Sequence, residues 1–175
     1  MGEENEDSYI DGSCDVVLDT AKSVYYEEID RLKQMEAKTN ITLAFVGVLF
    51  GAYLTYLGAF KMPMKEISYM IYTVLFKITV FVCYLVSVIY FLRAISTGKY
   101  KQVGLDEIAS ESFAMQDAEI TKLRVAFTYR DVVSYNSVIL EKKLKFYSRG
   151  LYIMAFGLML FAVHFFIEEV IRHVK

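Results

Sequence analysis

Long, predominantly apolar runs extend from Ile41 to Phe60, from Ile67 to Leu92 and from Gly150 to Ile167, and only Lys77 and His164 break them with ionisable groups. The three runs hold 20, 26 and 18 residues, and a hydrocarbon core of about 30 Å is crossed by roughly 20 apolar residues of helix. The pattern predicts an all-α, polytopic membrane protein with three transmembrane helices. Outside the runs the apolar residues turn periodic. Leu18, Ala21, Tyr25, Ile29, Leu32 and Met35 recur at intervals of three and four with charged residues between them, the signature of a helix with one apolar face. No Gly or Pro separates this helix from Ile41, so it is expected to continue into the first span with at most a bend near Thr39 and Asn40. A second stripe, Ala126, Tyr129, Val133, Asn136, Leu140, Leu144 and Tyr147, leads without a breaker into Gly150, so the third span is expected to prolong that helix.

Breakers and charge divide the rest. Lys61-Met62-Pro63-Met64-Lys65 holds the only proline and reads as a tight turn of a helical hairpin; Gly98 and Gly104 mark a loop, and helical character resumes from Asp106. The organisation expected is an acidic disordered tail over 1–13, a cytoplasmic amphipathic helix over 14–40, a transmembrane hairpin over 41–94, a cytoplasmic helical segment over 95–148, a third transmembrane helix over 149–171 and an external tail over 172–175. The tail carries Glu3, Glu4, Glu6, Asp7 and Asp11 without a base, a composition that resists folding. Its start has no basic region followed by an apolar core, so no cleavable signal peptide is expected.

The formal net charge of −2 hides an asymmetry. Fourteen Lys and Arg lie before the first span or between the second and third, against four in the hairpin turn and at the C-terminus. The positive-inside rule then sets a cytoplasmic N-terminus and an external C-terminus. That orientation leaves the sequon Asn40-Ile41-Thr42 on the cytoplasmic side, where it has no use. Cys14 and Cys83 have neither metal nor redox spacing and read as free thiols.

Four groups of residues are candidates for function. Ala44, Gly47, Gly51 and Gly58 share a face of the first span and contain a GxxxG motif, which permits close helix packing in lipid, either against the other spans of the same chain or against a second chain. Lys77, His164, Glu168 and Glu169 form an ionisable cluster near membrane depth. Lys77 must snorkel, pair or line water, and His164 is either a pH sensor or a packed, hydrogen-bonded residue. Val133, Asn136 and Leu140 read as a cytoplasmic seam in which one polar residue fixes register, or else Asn136 is partly exposed. Val132, Val138 and Ile139 widen the apolar surface of that helix beyond what one partner helix would hide. Lys142, Lys143, Lys145 and Arg149 form a basic patch at the membrane edge that suits anionic lipid headgroups, with a nucleotide as the lesser reading.

No P-loop, GxGxxG, HExxH or nucleophile elbow occurs. No catalytic, cofactor-binding or metal-ligating residue is therefore expected, nor enzymatic activity. Fourteen tyrosines and thirteen phenylalanines without tryptophan suit interfacial belts and packing rather than base stacking, so no nucleic-acid binding is expected.

The order of elements, with an amphipathic helix ending over Tyr25 to Lys38, a hairpin opening Asn40-Ile-Thr-Leu-Ala-Phe-Val-Gly47 and a long helix reaching Lys142-Lys-Leu-Lys-Phe-Tyr-Ser-Arg-Gly150, resembles small prokaryotic membrane effectors of the SLATT and Pycsar type over about residues 15 to 170. The resemblance implies an oligomeric module that forms a pore or perturbs the inner membrane when a nucleotide-signalling antiviral defence is triggered. The chain departs from SLATT modules, which typically have two spans. No separate sensor domain is expected, so a soluble defence partner or nucleotide signal would engage the segment from Arg93 to Arg149. Two other functions fit the same residues: a membrane anchor or accessory subunit docking a soluble partner, and a small ion channel.

Overall fold

The computed structural model describes residues 4–59, 67–104 and 115–174. They form three helices, α1 (Glu4–Gly58), α2 (Ile67–Ser96) and α3 (Ala118–Val174), with no strand among the described residues. At about 1.5 Å per residue, the 55 residues of α1 and the 57 of α3 reach far beyond the hydrocarbon thickness, and each joins a charged half to an apolar half without interruption. All three are long and apolar enough to cross a membrane, as their hydropathy predicts. The Pro63 turn and the stretch after Gly104 expected to begin a helix at Asp106 lie largely outside the described residues, and α3 begins at Ala118.

One expectation changes at the N-terminus. The acidic segment read as a disordered tail is helical from Glu4 onward. Acidic residues that repel one another in a coil also suit the positive end of a helix dipole, so composition alone does not separate the two.

Helix ends follow local chemistry. Asp117 precedes α3, and its carbonyl accepts the Thr121 amide at 3.0 Å. After α2, Gly98 adopts φ +70°, the left-handed geometry that commonly terminates helices and that glycine reaches without cost. A Cβ at Gly98 would stand 2.9 Å from Cγ2 of Ile139.

Burial in the helices repeats every 3.5 residues. In α1 the buried positions include Cys14, Tyr25, Glu28, Leu32, Met35, Thr39, Val46 and Tyr53. In α2 they are Thr73, Lys77, Val80, Tyr84, Ser87, Phe91 and Ala94, in alternating steps of four and three. This is the heptad spacing of coiled-coil packing. It replaces one position of the α1 stripe in the sequence reading: Glu28 is buried and Ile29 only half-buried.

The chain divides into two compact units, and α1 and α3 contribute to both. Unit 1 comprises residues 1–35 and 98–141, with Cys14, Tyr25, Leu32, Met35, Ala126, Val132, Ile139 and Leu140 buried. Tyr25 and Tyr129 stack at 5.1 Å between ring centroids, and burial pushes the Tyr129 hydroxyl up, with Tyr26 and Tyr25 adding to the shift. Unit 2 comprises residues 36–97 and 142–175 and holds the apolar runs around Val46, Tyr53, Val80, Tyr84, Phe91 and Met154. There α2 and α3 approach closely at Gly157, where a Cβ would come 2.9 Å from that of Cys83, and at Gly150, where it would meet the Phe91 ring at 3.1 Å. Both cysteines are free thiols.

Candidate functional site

Polar side chains gather inside unit 2 where the surrounding sequence is most apolar. Lys77 lies on the inward stripe of α2, its side chain only 7% exposed, and its ammonium stands 3.2 Å from Oε1 of Glu168 on α3. The Tyr56 hydroxyl of α1 donates to Oε2 of the same carboxylate, and the Tyr56 ring lies beneath the Lys77 ammonium at 4.5 Å. His164, one turn before Glu168, places Nε2 at 3.6 Å from Oε1. One carboxylate therefore gathers groups from all three helices. Its charge balances that of Lys77, which is how a charge within an apolar span is made tolerable.

Lys77 thus takes the paired reading rather than snorkelling. Glu169 is not part of the cluster: it turns toward His173, whose Nδ1 lies 3.4 Å from its Oε1, because adjacent positions on a helix point about 100° apart. His164 is 1% exposed, stacks on Phe76 at 5.0 Å, and neither ring nitrogen has a hydrogen-bond partner. The Thr73 hydroxyl, one turn before Lys77 on the same stripe, is likewise buried and without one. The Tyr53 hydroxyl donates to the Lys77 carbonyl at 2.6 Å, and Ser87 donates to the Gly150 carbonyl at 3.0 Å.

A second buried cation sits at the other end of α2. Lys143 is 1% exposed, and its ammonium donates to Oε1 of Glu36 at 2.8 Å and to the Ile95 carbonyl at 3.2 Å. Ile95 is in the last turn of α2, whose carbonyls lack intrahelical partners, so Lys143 satisfies one of them. Lys143 accordingly leaves the basic membrane-edge patch. Lys142, Lys145 and Arg149 are exposed and make up what remains of it, while heptad spacing turns position 143 inward.

The small residues of the first span do not pack against the described residues. Ala44, Gly47, Gly51 and Gly58 are exposed, and a Cβ added at any of the three glycines would meet nothing within 4 Å. The large residues Val46 and Tyr53 take the inward positions instead, because Tyr53 can both fill space and satisfy its hydroxyl. Asn136 is neither partly exposed nor free for an intermolecular seam. It is 1% exposed, its Oδ1 accepts the Lys101 amide at 3.0 Å and its Nδ2 donates to the Lys101 carbonyl at 2.9 Å. The loop after α2 is thereby fastened to α3 within unit 1. Leu140 is buried beside it and Val133 half-buried, while Val138 stays exposed.

Sequence reasoning missed Tyr56, Thr73, Glu36 and Glu28. Continuing the Tyr25 to Met35 heptad stripe through Thr39, Val46 and Tyr53 would have led to Tyr56, and the same spacing places Thr73 with Lys77. Among the described residues no cluster of His, Cys, Asp and Glu could hold a metal ion.

Three helices long and apolar enough to cross a membrane, with the lysine inside the second apolar run paired inward, define an integral, polytopic helical membrane protein. A model of the Pycsar effector protein domain matches residues 20–168, and the chain belongs to this family. It is thus a membrane effector of antiviral defence, as the order of its elements suggests. No curated protein and no solved structure matches it.

Proposed function

We propose that the chain acts as a homo-oligomer that breaches the inner membrane, by forming a pore or disordering the bilayer, with its N-terminus cytoplasmic and its C-terminus external and without catalysing bond chemistry. The observation that carries this reading is the surface of unit 1. Its exposed charged side chains, among them Asp15, Asp19 and Lys33, belong in water, yet Val17 and Val24 on α1 and Ile120, Phe127, Tyr135 and Val138 on α3 are also exposed. Val17 and Val24 lie one heptad apart, as do Ile120 and Phe127, so each pair shares a helix face. Apolar faces of this kind in water favour association with a partner, and a second copy supplies the same surface. Lys142, Lys145 and Arg149 would draw the membrane edge toward anionic lipid by about 1 kcal/mol each.

The test is the full chain reconstituted in vesicles, with cross-linking to read assembly and release of an entrapped dye to read breach. Val24→Asp with Phe127→Asp should abolish both, because each places a charge where an apolar contact forms. A chain that remains monomeric and tight would oppose the proposal, and co-purification with one soluble protein would then favour the docking anchor.

A further inference from the structure

The outward faces of the spans carry no charge among the described residues. α2 presents Ile71, Leu75, Ile78, Val82 and Leu85 outward, and α3 presents Phe156, Met159, Val163 and Phe166. The polar side chains on the inward stripes of the same segments, Thr73, Lys77, Ser87 and His164, are 0%, 6%, 0% and 1% exposed, whereas Thr79 is exposed and its hydroxyl donates to the Leu75 carbonyl. Copies assembled in this conformation would enclose a space walled by apolar and small side chains, which water and ions avoid. An aqueous path requires the interior stripe of α2 to turn outward. What opposes that rotation at its most polar point is Glu168, which accepts from Tyr56 of α1, pairs with Lys77 of α2 at 3.2 Å and faces His164 Nε2 at 3.6 Å.

We propose that Glu168 is a latch that keeps unit 2 sealed at rest, and that its release turns Thr73, Lys77 and Ser87 toward water. This rests on the breach proposed above and gives it a resting state. The geometry suits a latch better than a permanent brace. Breaking the Lys77–Glu168 pair inside the closed bundle separates opposite charges in apolar surroundings, whereas water reaching the stripe solvates both. Thr73 points the same way: its buried hydroxyl has no hydrogen-bond partner in the closed state, a cost that hydration removes.

Thiol accessibility reads the latch separately from breach. In a Cys14→Ala, Cys83→Ala chain in vesicles, Thr73→Cys should react slowly with a charged, water-soluble methanethiosulfonate. Adding Glu168→Gln should make it react on the order of tenfold faster, since a broken buried pair no longer favours the closed state. Unchanged reactivity in a variant that keeps its helical circular dichroism overturns the latch. If Glu168→Gln does not fold, Tyr56→Phe decides. It removes one donor while keeping the ring under Lys77, and should raise reactivity by a smaller factor; no rise overturns the proposal. Faster labelling without dye release would leave the latch standing and count against the breach. Dye release without faster labelling would count against the latch alone.

Discussion

Replacing Lys143 by Met keeps the length and apolar stem of the side chain and removes only the ammonium. With it go the bonds to Glu36 at 2.8 Å and to the Ile95 carbonyl at 3.2 Å. The two losses differ in weight. The Glu36 side chain is 41% exposed and can turn to water, so the ion pair contributes at most about 1 kcal/mol. The Ile95 carbonyl belongs to the frayed end of α2 and loses a charged donor, a loss of about 1.5–3 kcal/mol. The positive charge near the negative end of the α2 dipole adds about 0.3–1 kcal/mol. Since the contributions overlap, the expected destabilisation is about 2–4 kcal/mol. Lys142→Met, one residue away but exposed, should cost within about 0.5 kcal/mol. Reversible unfolding of the two variants in detergent, followed by circular dichroism, measures the difference directly. Equal midpoints for the two would refute the assignment of Lys143 to the interior.

Asn136→Ala should destabilise unit 1 by about 1–3 kcal/mol and raise proteolysis over residues 97–104, because both Lys101 bonds are lost; unchanged cleavage would count against the fastening. Gly157→Leu should cost about 1–3 kcal/mol by overpacking against Cys83, whereas Gly47→Leu with Gly51→Leu should leave protomer stability unchanged and lower the cross-linked oligomer. A destabilised protomer in the Gly47 and Gly51 variant would show that this face packs within the chain after all. Reporter fusions at Arg130 and Lys175 should be active on the cytoplasmic and external side respectively, and the reverse pattern would overturn the proposed orientation.

The three spans were legible because crossing hydrocarbon demands long apolar runs, and few other functions do. Which face of each span turns inward was not, and span one shows why. Between Ile41 and Gly58 nearly every residue is acceptable to lipid, so hydropathy gives no contrast, and the glycine stripe drew attention by its small size alone. The inward residues there, Val46 and Tyr53, follow from a rule that does not depend on hydropathy: the 3.5-residue repeat that begins at Cys14, where charged neighbours make it visible. Outside the spans the apolar stripe located unit 1 well but misjudged single positions. Glu28, Asn136 and Lys143 each occupy an inward position that composition assigns to water. Asn136 and Lys143 do so because a backbone or side-chain partner is waiting; the Glu28 carboxylate stands 3.8 Å from Arg31.

In lipid, buried polar residues such as Lys77 take on the task that apolar burial performs in water. Helices that are apolar all round gain little from choosing one face over another, so directional contacts must select register. Lys77 of α2 is tied to Glu168 of α3, and Lys143 of α3 to Glu36 of α1, so each buried cation binds a carboxylate on another helix. A slip of one heptad would preserve the apolar packing pattern while moving a helix about 10 Å along its axis. It would also part Lys77 from Glu168 among apolar side chains, at a cost of several kcal/mol. The buried charges thus penalise the alternative that the heptad repeat by itself leaves open. Glu168 can serve both register and release because the same bonds that make one register stable in a dry interior become dispensable once water enters.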